Sequence, residues 1–392
     1  MMSGGITQSR GIAALVACAL ACAEFVAPVW AADTKAKKPA ASSKMTAASK
    51  TKKPASRGRK PRNPTLTYNG IPTFTDPTQN DIAEFDEPMV REAAVRALGN
   101  LNGTVVVVDS DTGRVLSIVN QRTAFGAGFQ PCSTFKPVVG LAALQEGIVT
   151  RDTMIKVARR SYMNLTEALA HSNNPYFEVL GRKMGFEKVH EYGQLFGLGE
   201  PAGYNIFEEH PGTLPAAPPQ WGGVGKMSSF GEGILMTPLQ LAAFGVAFAN
   251  GGTLYYLQYP RSEEERANFM PRIKRKLEIE PLIPDVREGM LATVLYGTGR
   301  RSFDPYGDQL FGKTGTCSDQ GSRLGWFLAY SEAAKPRMVV SVLLRGHSRR
   351  YVSGSAAAEV AGRVFHYLRE RNYFAGRPYT TTTASETGSS NR

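Results

Sequence analysis

A serine and a lysine in the stretch "QPCSTFKP" (130–137) have the spacing of a nucleophile and its base. A serine hydroxyl needs a base to attack an amide carbonyl, and no Ser/His/Asp arrangement is visible in the sequence. Ser133 and Lys136 would lie one turn apart on the same face of a helix, so that the lysine amine reaches the serine hydroxyl. The pair therefore indicates acyl transfer through a serine ester.

Two further motifs, Ser172-Asn173-Asn174 and Lys313-Thr314-Gly315, supply polar groups that suit the same chemistry. Each short motif is weak evidence when taken singly, because Ser-x-x-Lys recurs at 49–52 and Ser-x-Asn at 389–391. The run "GGVGKMSS" (222–229) lacks the glycine spacing of a phosphate-binding loop and has Met where that loop has Ser or Thr. The histidines have no metal-ligand spacing, so we expect no metal and no cofactor.

Apolar periodicity predicts the elements that must position these motifs. The strands and helices follow one another in an order typical of an α+β fold, in which an antiparallel sheet is flanked by helices and carries an all-helical insert. A connector rich in Pro and Gly interrupts the insert. The predicted elements are a β-hairpin at 103–120, a helix from Ser133 to Gly147, helical segments at 165–196 and 234–249, three strands from Gln309 onward, and a helix at 355–371.

The positive charge of the chain is concentrated in one segment. Of the formal net charge of +12, residues 33–63 carry +10, and the chain from Pro64 onward carries about +2. This segment is a low-complexity run of Lys, Ala, Pro and Ser that is unable to bury a core. Because the folded part is nearly neutral, we expect no nucleic-acid partner, and we expect the linker to face an anionic cell envelope.

The N-terminus is typical of an exported protein. A short basic stretch, an apolar run from Gly11 to Ala23 and small residues up to Ala31 predict a signal peptide cleaved after Ala31, with lipoprotein cleavage at Cys18 or an uncleaved anchor as alternatives. Export would place the protein in the periplasm or on the outer face of the cytoplasmic membrane. We expect four regions: a signal peptide or N-terminal anchor at 1–31, a basic disordered linker at 32–63, a catalytic domain at 64–375 and a disordered tail at 376–392.

The three motifs, in this order and in these elements, resemble the transpeptidase domain of penicillin-binding proteins. The resemblance covers about residues 100–370 and implies a peptidoglycan D,D-transpeptidase or D,D-carboxypeptidase that works through a Ser133 acyl-enzyme. Its substrate would be the peptidoglycan stem peptide, and β-lactams would acylate it as covalent inhibitors. Further stretches similar to the family are "FGLGEP" (196–201), "GEGILMTPLQLAAFGVAFANGG" (231–252), "GTGR" (297–300) and "KTGTCSDQGSRLGWFLAY" (313–330).

The resemblance also implies a role for each motif residue. Lys136 would act as the base for Ser133, with its pKa lowered by the helix N-terminus and by the charge of Lys313. Ser172 would relay a proton to the leaving amine, and Asn174 would position the substrate amide. The substrate carboxylate would bind to Lys313, Thr314, Gly315 and Thr316, and the oxyanion would accept from the backbone N–H groups of Ser133 and Thr316.

The two cysteines beyond the predicted signal stand where the sequence departs from the family. Cys132 takes the place of the glycine that usually precedes the nucleophile, and Cys317 takes the place of the serine after Lys-Thr-Gly-Thr. In an oxidising compartment the resemblance implies a disulfide that would hold the oxyanion donors in place, and two buried free thiols are the alternative. Some class A serine β-lactamases look similar at these two positions.

Two other functions stay open. A serine β-lactamase would need a carboxylate to activate water, and Glu208 and Glu209 follow Asn174 at a suitable separation, although "FEEHPGTLP" resembles the penicillin-binding-protein connector. A class D hydrolase would carry Ser-x-Val in place of Ser172-Asn173-Asn174. A third function is a β-lactam sensor or binding module without turnover, which lacks support because no signalling domain is visible.

Overall fold

The structure, a computed structural model, describes residues 70–319, 321–333 and 335–374. The expected signal or anchor (1–31), the basic linker (32–63) and the C-terminal tail (376–392) lie outside the described residues. In the described part of the chain, no helix combines the length and the apolar composition that a bilayer span requires.

A five-stranded antiparallel sheet lies at the centre, with the spatial order β2-β1-β9-β8-β7. Two small sheets, β3-β4 and β5-β6, lie outside it. The strands are β1 (Gly103–Asp109), β2 (Val115–Val119), β3 (Ile155–Ala158), β4 (Ser161–Met163), β5 (Thr253–Tyr256), β6 (Arg272–Lys276), β7 (Leu310–Asp319), β8 (Ser322–Ser331) and β9 (Met338–Gly346).

Helices cover both faces of this sheet. The α-helices are α1 (Pro88–Leu98), α2 (Gln121–Phe125), α3 (Lys136–Gln145), α4 (Leu165–Ala170), α5 (Asn174–Met184), α6 (Phe186–Leu195), α7 (Gly223–Phe230), α8 (Pro238–Ala249), α9 (Glu263–Ala267), α10 (Ile283–Leu295) and α11 (Gly354–Glu370). Short 3₁₀ turns lie at Cys132–Phe135, Glu280–Leu282 and Arg300–Ser302.

The valine run of β1 explains why the sheet has two apolar layers. Side chains alternate between the faces of a strand, so a continuous apolar run is stable only where both faces are covered. Val105 and Val107 pack in the layer that contains α1 and α11. Val106 and Val108 pack in the opposite layer, with α3 and α8. The hairpin predicted at 103–120 is confirmed, with β1 and β2 antiparallel.

The helix α8 runs through the core directly beneath the sheet. Every one of its residues is buried, and its first turn is closed by a capping box between Thr237 and Gln240. The sequence predicts this helix from residue 234, whereas it begins at Pro238, because Thr237 has the extended conformation of an N-cap.

The chain between α3 and β7 is mainly helical, as predicted, but it also contains the two small sheets. The segment 165–196 is helical, as predicted, and consists of three helices, since the chain turns at Ser172 and again at Gly185, both with positive φ. Helices α7 and α10 are not among the predicted elements. The α+β class, the antiparallel sheet, its last three strands and the terminal helix are confirmed.

Candidate active site

A glycine allows β7 to pass close to the turn that carries Ser133. A Cβ atom added to Gly315 would lie 2.9 Å from the carbonyl oxygen of Pro131 and 3.2 Å from Cγ2 of Thr134. The first of these distances is shorter than real Cβ contacts allow, so a side chain at position 315 would force the strand away from the turn. Glycine in the Lys-Thr-Gly motif therefore keeps β7 against the start of α3.

Ser133 lies in the 3₁₀ turn Cys132–Phe135, and its carbonyl accepts a hydrogen bond from the backbone N–H of Lys136, the first residue of α3. Ser133 is buried, with 7% of the residue exposed. Cys132 before it has a φ of 53°, in the left-handed region, which costs a non-glycine residue about 1–2 kcal/mol. This conformation gives a physical reason for the glycine that the family usually has there.

Lys136 is fully buried, and its amine contacts the second motif. Nζ donates to the carbonyl oxygen of Ser172 at 2.6 Å, to the Ser172 hydroxyl at 3.1 Å and to Oδ1 of Asn174 at 2.6 Å. It also lies 5.3 Å from the centre of the Phe177 ring. Among the described residues, none forms a hydrogen bond with the Ser133 hydroxyl, so Lys136 is hydrogen-bonded to Ser172 and Asn174 rather than to the serine of its own motif.

A left-handed residue between α4 and α5 presents the second motif to the site. Ser172 has a φ of 54°, and its N–H donates to the carbonyl of Leu169 as α4 ends. The side chain of Asn173 then caps α5 by accepting from the N–H of Tyr176. The middle residue of the motif thus builds the turn, while Ser172 and Asn174 on either side of it contact Lys136.

Lys313 on β7 is the second buried amine of the site. It is completely buried, and its Nζ donates to the Ser172 hydroxyl at 2.8 Å and to the carbonyl of Thr314 at 3.0 Å. Thus the structure brings residues of the three sequence motifs together at one hydroxyl group.

Burial lowers the pKa values of both amines, and the charge of Lys313 adds to this effect at Lys136. Burial lowers the pKa of Lys136 well below its ordinary value, and the charge of Lys313 lowers it further, while Glu178 opposes this. Burial lowers the pKa of Lys313 to about 7. Neither lysine forms an ion pair with a carboxylate among the described residues. The neutral form of the Lys136 amine is therefore favoured relative to an exposed lysine.

Thr298 is a site residue that the sequence motifs did not identify. Its hydroxyl lies 2.6 Å from the hydroxyl of Thr314, and its N–H donates to the carbonyl of Ala170 at 3.1 Å. The sequence signal for it is the "GTGR" stretch (297–300), which is similar to the family but was assigned no site residue. The hydroxyl of Thr316, also on β7, accepts from the N–H of Gly354 at 2.7 Å, which ties the strand to the start of α11.

Cys132 and Cys317 form a disulfide in the structure. Their Cα atoms are 5.6 Å apart, inside the usual range for such bonds, and the bond spans 185 residues of sequence. Two hydrogen bonds support the same junction: the indole N–H of Trp326 donates to the Gln130 carbonyl at 3.0 Å, and the Gln130 N–H donates to Asp319 at 3.2 Å. The segment before Ser133 is thus attached to β7 and β8.

Glu208 and Glu209, the carboxylates that a class A hydrolase would require, have other partners. Glu208 forms an ion pair with Arg261 at 2.7 Å. Both oxygens of the buried Glu209 accept from the chain, one from the N–H of Ala202 at 2.9 Å and the other from the N–H of Gly203 at 2.6 Å. Burial raises the pKa of Glu209 to about 7, although these two hydrogen bonds lower it. Neither carboxylate is hydrogen-bonded to Ser133, Lys136 or Ser172 among the described residues.

Within the same part of the chain, no group of three or more His, Cys, Asp or Glu residues is placed to hold a metal ion.

A family model described as "Penicillin binding protein transpeptidase domain" matches residues 103–366, which include every site residue discussed above. The chain belongs to this family. Penicillin-binding-protein transpeptidase domains are also its structural neighbours. The transpeptidase domain of penicillin-binding protein 3 from Burkholderia pseudomallei superposes with a TM-score of 0.62 at 21% identity, covering 74% of this chain and 96% of that one. For PBP2 of Pseudomonas aeruginosa, solved in complex with WCK 5153, the TM-score is 0.63 at 21% identity, with 75% and 78% covered.

Curated relatives of this transpeptidase-domain chain are longer proteins. Stage V sporulation protein D of Bacillus subtilis is 27% identical over 279 residues, covering 63% of this chain and 43% of that protein. The peptidoglycan D,D-transpeptidase MrdA of Acinetobacter baumannii is 25% identical over 372 residues, covering 74% and 54%. The peptidoglycan D,D-transpeptidase FtsI of Escherichia coli K12 is 26% identical over 303 residues, covering 67% and 50%. The chain thus spans about half the length of the curated relatives that it matches.

Proposed function

We propose that this protein is a serine peptidoglycan D,D-transpeptidase that acts through an acyl-enzyme on Ser133 and is acylated there by β-lactams. The observation that carries the proposal is the convergence of Lys136 and Lys313 on the Ser172 hydroxyl, beside the turn that holds Ser133. The family and the relatives named as D,D-transpeptidases support the same activity.

In the first step, Ser133 Oγ attacks the carbonyl carbon of the penultimate D-alanine of a stem peptide. The Ser133 proton passes to neutral Lys136, and through Ser172 a proton reaches the nitrogen of the terminal D-alanine as its bond to carbon breaks. A neutral amine has a lone pair, so the Lys136 contact with the Ser172 hydroxyl at 3.1 Å is able to carry a proton in either direction.

The negative charge that develops on the attacked carbonyl needs donors near Ser133. We assign this role to the backbone N–H groups of Ser133 and Thr316, and loss of one such donor typically slows a reaction by about 100- to 1,000-fold. The disulfide between Cys132 and Cys317 adjoins both residues, which supports a positioning role for the bond rather than a chemical one.

The substrate carboxylate would bind beside β7. Lys313, Thr314 and Thr316 supply an ammonium group and two hydroxyls, and Gly315 leaves room for the strand to approach the turn of Ser133. Thr298 is a positioning residue in this proposal, because its hydroxyl contacts that of Thr314. Asn174, whose Oδ1 accepts a hydrogen bond from Nζ of Lys136, would orient the substrate amide.

The ester is released by an acceptor. An amine acceptor would give cross-linking, and water would give D,D-carboxypeptidation; we assign transpeptidation as the main activity because the named relatives carry it. Export to the periplasm or to the outer face of the cytoplasmic membrane fits such a substrate. The basic residues at 33–63 would hold the domain near acidic envelope polymers, and deletion of this segment should then change how the protein fractionates with the envelope.

The experiment that tests the function is a time course of intact mass after exposure to benzylpenicillin, with Ser133→Ala as the control. A long-lived adduct on Ser133 supports the transpeptidase, and the sensor interpretation fails if the same protein also cross-links stem peptides. A transient adduct with rapid loss of the drug would instead identify a β-lactamase. An adduct that persists in Ser133→Ala would remove the catalytic assignment.

A further inference from the structure

We propose that a cleft bounded by Arg122 and Arg345 binds a small anion, either a carboxylate or a phosphate group. The cleft has a volume of about 430 Å³. It lies where the ends of β1, β2 and β9 meet residues 126–129, and none of the residues of the three catalytic motifs lines it. The proposal is therefore separate from the acyl transfer at Ser133.

Arg345 is a partly buried cation without a matching anion. Its guanidinium group lies 4.4 Å from the centre of the Phe129 ring. Its Nε is buried, and no described residue accepts a hydrogen bond from it. The carboxylate of Asp319 lies beyond ion-pair distance of this guanidinium group, and its charge raises the pKa of Arg345. Burial has the larger effect and lowers that pKa. Charged groups that leave water are normally paired, so a desolvated guanidinium beside an open cleft indicates a partner from outside the chain.

A second arginine gives the lining of the same cleft a net positive charge. Arg122 is exposed on the wall of the cleft and forms no ion pair with another described residue. Asp76 is the one carboxylate among the described lining residues, and it already accepts two hydrogen bonds from Thr78, at 2.9 and 2.7 Å. The amides of Gln79 and Asn80 line the cleft as neutral donors.

The chemistry of these groups selects the ligand class. A guanidinium group presents paired N–H donors in a plane, which match the two oxygens of a carboxylate or of a phosphate. In the cell envelope, carboxylates come from peptides and phosphates come from wall polymers or lipid headgroups. Phe129, on which Arg345 stacks, lies four residues before Ser133, so a bound anion would contact the segment that leads to the nucleophile.

The test uses the full chain, titrated calorimetrically with orthophosphate and separately with succinate at constant ionic strength. The first variant is Arg345→Gln. Because Arg345 packs in the fold, a second variant changes the exposed Arg122 to Gln. The control for both is Arg349→Gln, which changes an exposed arginine close to Arg345 in sequence that does not line the cleft. We expect saturable binding that weakens about ten- to a hundredfold in Arg345→Gln and at least severalfold in Arg122→Gln, and that is unchanged in Arg349→Gln.

Each outcome bears on the proposal. Binding of orthophosphate alone supports it and identifies a phosphate source, binding of succinate alone supports it and identifies a carboxylate source, and binding of both supports the shared anion site. No saturable binding of either anion, or equal affinity in all three arginine variants, would overturn it. Retention of binding in Ser133→Ala separates this result from the fate of the proposed transpeptidase activity.

Discussion

The amines of Lys136 and Lys313 converge on one oxygen, the hydroxyl of Ser172, at 3.1 and 2.8 Å. A hydroxyl group accepts two hydrogen bonds, so both lysines are able to donate to Ser172 while its own proton is left for a third partner. Because two buried ammonium groups so close together repel one another, this arrangement favours the neutral form of one of them. The order and position of the two titrations then control the proposed chemistry.

The first prediction concerns the pH dependence of acylation. The rate should rise with pH as Lys136 loses its proton and fall above about pH 7 as Lys313 loses its charge. Lys313→Met removes the charge that lowers the pKa of Lys136, so the rising limb should move to higher pH. The measurement is the rate constant of acylation by benzylpenicillin across the pH range. Lys313→Arg keeps the charge and should keep the limb in place; a limb that does not move in Lys313→Met would contradict the coupling.

The second prediction concerns the base itself. Lys136→Gln should slow acylation of Ser133 by about 100- to 10,000-fold, the usual contribution of a general base. The matched control is Lys183→Gln, an exposed lysine near the end of α5. Both variants are followed by intact mass after addition of benzylpenicillin. Equal rates in the two variants would exclude Lys136 as the base.

The third prediction uses the left-handed backbone of Cys132. Cys132→Ser with Cys317→Ser removes the disulfide and should lower the free energy of unfolding by about 2–5 kcal/mol. Cys132→Gly with Cys317→Ser removes the same bond but relieves the strain at a φ of 53°, and should recover about 1 kcal/mol. Urea unfolding of both double variants decides the point. A glycine variant less stable than the serine variant would show that the backbone at position 132 carries no such strain.

The fourth prediction concerns the close approach of β7 to the turn before α3. Gly315→Ala places a methyl group 2.9 Å from the Pro131 carbonyl, and such overpacking costs about 1–3 kcal/mol of stability. Because β7 must move away from Ser133 to admit the methyl group, acylation should slow by at least about tenfold. Ser318→Ala, at an exposed position of the same strand, is the control. Wild-type acylation in Gly315→Ala would mean that the approach is not needed for chemistry.

The fifth prediction separates the transpeptidase from a class A hydrolase. Glu208→Gln should leave the lifetime of the penicilloyl adduct unchanged, because Glu208 pairs with Arg261 and not with the site. Glu209→Gln should also leave this lifetime unchanged, while it lowers stability by about 1–3 kcal/mol through the lost acceptor for a backbone N–H. A markedly longer adduct lifetime in either variant would identify that carboxylate as the group that activates water.

Some elements were predictable from their apolar residues, whereas proline and glycine residues obscured others. The hairpin of β1 and β2, the three strands from β7 to β9 and the helix α11 follow directly from short apolar runs or from helical apolar spacing. Helix α10 was missed because Pro281 and Pro284 resemble helix breakers, although Pro284 lies in its first turn, where proline is tolerated. Helix α7 was missed because its paired glycines resemble a loop, although Gly222 is its N-cap.

What the sequence by itself determined is the set of candidate reacting groups and the local elements that carry them. A serine three residues before a lysine at the start of a helix, a Ser-x-Asn and a Lys-Thr-Gly on a strand are properties of residue type and short spacing. Only the tertiary structure decided which of these groups touch. Ser172 and Lys313 meet although they are 141 residues apart, and Lys136 contacts Ser172 and Asn174 instead of the hydroxyl of Ser133. The physical reason is that such contacts depend on how α3, α5 and β7 pack around a shared core, which no local pattern encodes.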